Sequence, residues 1–85
     1  MSTETKELKI KAASCKRLIK EYESYQKEEK IENERLEKMI KEGASIHQQK
    51  QQRNVIKETS AMIPLCRTRL EQSAETLKSL LVKIT

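Results

Sequence analysis

Lys41-Glu42-Gly43-Ala44-Ser45-Ile46-His47-Gln48 is the stretch on which the fold turns, because it breaks an otherwise continuous run of helix formers. Gly43 has no Cβ to clash, so it can take the left-handed conformation that closes a helix C-terminus. Two residues later, Ser45 and Gln48 have the spacing of a capping box. The serine hydroxyl would accept from the Gln48 amide while the glutamine side chain reaches back to the Ser45 amide. A stop signal followed at once by a start signal predicts one helix over 4–41, a turn at 42–45 and a second helix over 46–84. A turn that short makes the two helices antiparallel neighbours.

Working outward from the turn, both arms carry a heptad-like stripe. On the amino side Leu8, Cys15, Leu18, Tyr22, Tyr25, Leu36 and Met39 follow steps of three and four, with polar Lys11, Glu29 and Glu32 completing the series. Ala12, Ile19 and Ile40 are expected to widen it. On the carboxyl side Ile56, Thr59, Ile63, Cys66, Leu70, Ser73, Leu77, Leu80 and Ile84 repeat the pattern. A sustained 3.5-residue period is the mark of coiled-coil packing. The expected fold is therefore all-α, an antiparallel helical bundle or long α-hairpin of coiled-coil type. Each arm of about 38 residues should extend roughly 57 Å. The stripe thins at QKEEKIENER (26–35) and QQKQQR (48–53), which a hairpin sets near each other. The half next to the turn is thus polar and the distal half apolar.

Pro64 lies inside the second arm, where it removes one hydrogen bond and crowds the preceding turn. Ile63, Cys66 and Leu70 keep the heptad phase across it, and no Gly or Asn stands nearby to build a turn. A kinked helix is expected, not a second hairpin.

Composition agrees. Ala, Glu, Lys, Leu and Arg supply 44 of the 85 residues, with one Gly, one Pro, no Phe and no Trp. Such a mixture at helical spacing signals long helices. It excludes a sheet or a compact pocketed enzyme, which need turns, β-branched runs and more core. The net charge is +5, and both halves of the chain are basic. That favours an acidic partner without saying anything of fold. No apolar run approaches the roughly 18 residues of a membrane span, and the opening MSTETKELKIK lacks the apolar core of a signal peptide. A cytoplasmic setting with reduced thiols is expected.

Catalytic material is scarce. The lone His47 sits at the first turn of the second helix and reads as an exposed cap-region residue. The glutamates, with no pocket to perturb them, read as solvated charge. Cys15 and Cys66 fall on the two stripes about six residues out of register, roughly 9 Å along the axis, beyond disulfide reach. Tyr22 and Tyr25 share a face at the level of Pro64 and read as core residues with hydroxyls at the rim. Two tyrosines without interleaved basic residues on a sheet are no nucleic-acid stacking platform. No metal, cofactor or small-molecule substrate is expected.

LKIKAASCKRLIKE at 8–21, SYQKE at 24–28, LEKM at 36–39 and above all ETSAMIPLCRTRLE at 58–71 resemble the tubulin folding cofactor A (tubulin-specific chaperone A) family. The resemblance covers about residues 8–81 without a gap, and Met62-Ile63-Pro64 with its following Cys and Arg-Leu-Glu is its most specific part. It implies a rod-like three-helix bundle kinked at Pro64. It further implies a non-enzymatic chaperone, cytoplasmic and cytoskeleton-associated, that captures β-tubulin and hands it on during α/β-tubulin assembly. Other tubulin-folding cofactors are implied as further partners. Family members continue into an acidic segment and a third helix. This sequence ends at Thr85, so the third helix is expected to be missing and the uncovered stripe to favour a homodimer.

The resemblance brings no catalytic residues and no residue-by-residue binding surface. The candidates are exposed positions in the matching segments: Lys9, Lys11, Lys16, Arg17, Lys20, Glu58, Arg67, Arg69 and Glu71. Basic residues there would steer an acidic partner such as tubulin. The alternative reading is a generic basic coiled-coil scaffold or a nucleic-acid-binding hairpin. A generic coiled coil has no reason to keep a proline mid-helix.

Overall fold

The computed structural model describes residues 3–84, and among them two helices, α1 (Thr3–Lys41) and α2 (Ile46–Ile84), fold back on each other. The described residues fill 62 × 17 × 14 Å, with a radius of gyration of 19.1 Å. A compact domain of that length would have a radius near 12 Å. The molecule is a rod.

The turn is built as its residues dictate. Gly43 takes φ 76°. Its amide donates to the Ile40 carbonyl at 3.2 Å, and the Ala44 amide donates to the Met39 carbonyl at 2.9 Å. These two bonds form a Schellman motif, which satisfies carbonyls that the end of α1 would leave bare. The Gln48 amide donates to Ser45 Oγ and the Ser45 amide to Gln48 Oε1, each at 3.1 Å. The capping box therefore closes in both directions, and Gln49 adds a bond to the Ala44 carbonyl at 3.0 Å.

Burial follows the stripes. In α1 the series Cys15, Leu18, Tyr22, Tyr25, Glu29, Glu32, Leu36 and Met39 is shielded in steps of three and four; in α2 the series runs Gln49, Gln52, Ile56, Thr59, Ile63, Cys66, Leu70, Ser73, Leu77 and Leu80. Three expectations need correction, the first at Lys11, which completes the stripe in sequence but is exposed. Ala12, Ile19 and Ile40 do not widen the stripe: all three are exposed, because a two-helix contact covers a single seam. Ile84, at the end of α2, is also exposed.

The seam is thin, and its most deeply buried positions are mostly polar. Cys66 is the one fully buried apolar side chain among the described residues, while Glu32, Gln52 and Thr59 are buried polar ones. The reading of every glutamate as solvated charge fails at Glu32, which is only 4% exposed. Thr59 lies opposite it and donates its hydroxyl to the carboxylate. Gln52 Nε2 donates to the Glu32 carbonyl at 2.9 Å. One turn away, Ser60 Oγ donates to Glu29 Oε2 at 2.5 Å. No buried side-chain nitrogen or oxygen among the described residues is left without a partner. Polar groups can occupy a seam only on those terms, since a buried unpaired acceptor costs about 1–3 kcal/mol, more if charged.

α2 runs through Pro64 without interruption. The proline has no N–H to give the Ser60 carbonyl. The Thr68 hydroxyl donates to the Pro64 carbonyl at 3.0 Å, tying the next turn back onto the proline. Cys15 and Cys66 are both free thiols.

Candidate functional site

The antiparallel register, fixed by the cross-helix bonds at Glu29, Glu32 and Tyr22, places the middle of α1 beside the residues that follow Pro64. Tyr22 and Arg67 meet at that level. The Arg67 guanidinium donates to the Tyr22 hydroxyl from Nε at 3.1 Å and from Nη2 at 2.9 Å. Its central carbon lies 5.8 Å from the ring centroid, at the outer limit of a cation–π contact. Arg67 is exposed, and its pKa is raised chiefly by its hydrogen bonds to the Tyr22 hydroxyl, then by electrostatic attraction to that oxygen, with Glu71 adding a smaller electrostatic pull. The hydroxyl of Tyr22 does sit at the rim of the seam, as its stripe position suggests, and there it orients an arginine.

On the other flank of Tyr25 lies an open groove of about 480 Å³, lined by Arg17, Lys20, Glu21, Ser24, Tyr25 and Glu28 from α1 and by Arg69 from α2. Of the nine residues proposed from sequence, this groove brings Arg17, Lys20 and Arg69 together. Arg67 and Glu71 sit near one another beside Tyr22. Lys16 is exposed next to Arg17, whereas Lys9 and Lys11 lie further toward the free end of α1. Glu58 is exposed on the turn side of Pro64 and does not line the groove.

Sequence reasoning missed four lining residues as site members: Glu21, Ser24, Tyr25 and Glu28. A signal was available. In the heptad that puts Tyr22 and Tyr25 on the seam, Glu21 and Glu28 flank it on one side, and Arg69 flanks it on α2. In an antiparallel pair such flanking positions face each other.

No cluster of three or more His, Cys, Asp or Glu able to hold a metal occurs among the described residues. No helix of the described residues is long and apolar enough to cross a membrane. What the groove offers is donors. The side chains of Arg17, Lys20 and Arg69 make no ion pair or hydrogen bond among the described residues, where Lys38 pairs with Glu42 at 3.9 Å.

Comparison with known proteins places this arrangement. The profile of a family described as Tubulin binding cofactor A matches residues 3–85. "Tubulin-folding cofactor A" of Arabidopsis thaliana is 44% identical over 77 residues, covering 91% of this chain and 68% of that protein. "Tubulin-specific chaperone A" of Oryctolagus cuniculus is 38% identical over 76 residues, covering 89% of this chain and 70% of that one. The crystal structure of tubulin folding cofactor A from Arabidopsis thaliana superposes with a TM-score of 0.88 at 42% identity, over 94% of this chain and 75% of that chain.

Proposed function

The chain belongs to the tubulin binding cofactor A family, and from that premise we propose that it captures β-tubulin and hands it on during assembly of the α/β-tubulin heterodimer. Membership makes it a tubulin-folding chaperone and not an enzyme. The family match along residues 3–85, with relatives bearing tubulin-folding names, is the observation that carries the reading. The cytoplasm, in association with the cytoskeleton, is its proposed place of work, and other tubulin-folding cofactors are its proposed further partners.

Charge supports the choice of surface. Lys16, Arg17, Arg67 and Arg69 all stand exposed in the stretch where α1 passes the residues after Pro64. Exposed cations raise the encounter rate with an acidic protein more than they slow its release. Association with β-tubulin, followed by fluorescence at several ionic strengths, tests this. The rate should fall as salt rises, and reversing charge at those four positions should lower it by roughly tenfold or more, with a much smaller effect on dissociation. Capture that is insensitive to both salt and charge reversal would mean that the contact surface lies elsewhere, and the polar segment Gln48–Arg53 would be tested next.

A further inference from the structure

The groove beside Tyr25 has a charge pattern that fits one kind of ligand. Arg17 and Lys20 lie one turn apart on α1, and Arg69 reaches the same groove from α2, so three cations converge at one end. None of them is engaged within the described residues, although the chain carries thirteen glutamates. Arg67, next along α2, is already held by Tyr22 and is not part of this set. Glu21 stands among these cations, one residue from Lys20, so that end keeps a net positive charge from three cations and one carboxylate, while Glu28, two turns nearer the hairpin turn, lines the other end. Half-buried Tyr25 supplies an apolar wall.

From Arg17 to Glu28 is eleven residues of helix, about 16 Å. An extended peptide covers that distance in about five residues at roughly 3.3 Å each. Arginine forks and a lysine at one end suit carboxylates, which accept paired N–H bonds. Glu28 at the other end repels a polyanion that stays charged along its length, so a nucleic-acid backbone is disfavoured.

We infer that this groove docks a short extended acidic segment of the client protein, with its carboxylates against Arg17, Lys20 and Arg69 and its uncharged residues running over Tyr25 toward Glu28. The inference rests on the chaperone reading for the owner of the segment and on the groove alone for its chemistry. It has a further consequence: because the cations come from both helices, the site exists only when the hairpin is closed in its native register.

The test is a binding titration with a fluorescein-labelled decapeptide carrying three central glutamates, against the same peptide with glutamines in their place. The glutamate peptide should bind, and the glutamine peptide should bind at least about tenfold more weakly. Reversal at Arg17→Glu, Lys20→Glu and Arg69→Glu should weaken the glutamate peptide about tenfold or more. A control triple, Lys50→Glu, Arg53→Glu and Lys57→Glu, changes net charge equally at exposed positions outside the groove. It should alter binding by less than about twofold. Circular dichroism checks that both triples stay helical.

Equal loss in the two triples would reduce the effect to overall charge and overturn the inference. So would no loss in either, or tighter groove-dependent binding of random duplex DNA than of the peptide. Parallel binding of intact β-tubulin separates the two claims. If β-tubulin binds normally while the glutamate peptide does not, the groove inference fails and the chaperone reading stands. If the peptide binds in the groove and β-tubulin does not bind, the chaperone reading fails and the groove chemistry stands.

Discussion

Glu32 is buried in a seam whose neighbours are mostly apolar or uncharged, and what makes this tolerable is one hydroxyl and one amide from α2. Thr59 bonds its carboxylate and Gln52 its carbonyl. Replacing Thr59 by Val leaves the carboxylate buried without its donor, so the variant should lose about 1–3 kcal/mol in urea unfolding. Adding Glu32→Leu to Thr59→Val should restore most of that loss, because two apolar partners satisfy each other where half of a polar pair cannot. A double variant as unstable as the single one would show that the pair is not the coupled unit described here. The stripe position of Glu32 was legible in the sequence, since it completes the three-four series through Glu29 to Leu36. Its burial was not. Glutamate is abundant in this chain and ordinarily solvated, and the partner that reverses that expectation lies 27 residues away.

The elements were legible because their ends are written in local chemistry. Gly43, Ser45 and Gln48 state the stop and the start without reference to any distant contact. Gly43→Ala tests this cleanly: nothing lies within 4 Å of the added Cβ, so the cost is backbone conformation alone. About 1–2 kcal/mol of destabilisation is expected from holding a Cβ-bearing residue at φ 76°. A neutral outcome would mean that the turn relaxes. Pro64 makes a different kind of prediction. Pro64→Ala returns a donor to the Ser60 carbonyl and removes a ring clash, so the thermal midpoint should rise. Small-angle scattering tests the kink expected from sequence: if the ring bends α2, the variant is a longer rod, and an unchanged length means that α2 is already straight there. The exposed Ile19 and Ile40 were misjudged at this same scale, because periodicity gives the direction of a stripe but not its width. Width depends on how many helices face it.

For the whole molecule, a rod 62 Å long with a thin seam has little interior in which to build a pocket, so function falls to its surface. The net charge of +5 pointed to an acidic partner, and the segment after Pro64 pointed to a family. Neither could say which cations share a groove. Arg17, Lys20 and Arg69 stand 49 and 52 positions apart across the turn and meet only through the antiparallel register, which Glu29, Glu32 and Tyr22 hold by pairing with Ser60, Thr59 and Arg67. The most direct measurement is a titration of the purified chain against β-tubulin and, separately, α-tubulin, followed by light scattering and by nucleotide hydrolysis. A discrete complex with β-tubulin, none with α-tubulin and no nucleotide consumed is the expected result. Failure to bind β-tubulin, or equal binding of both subunits, would contradict it.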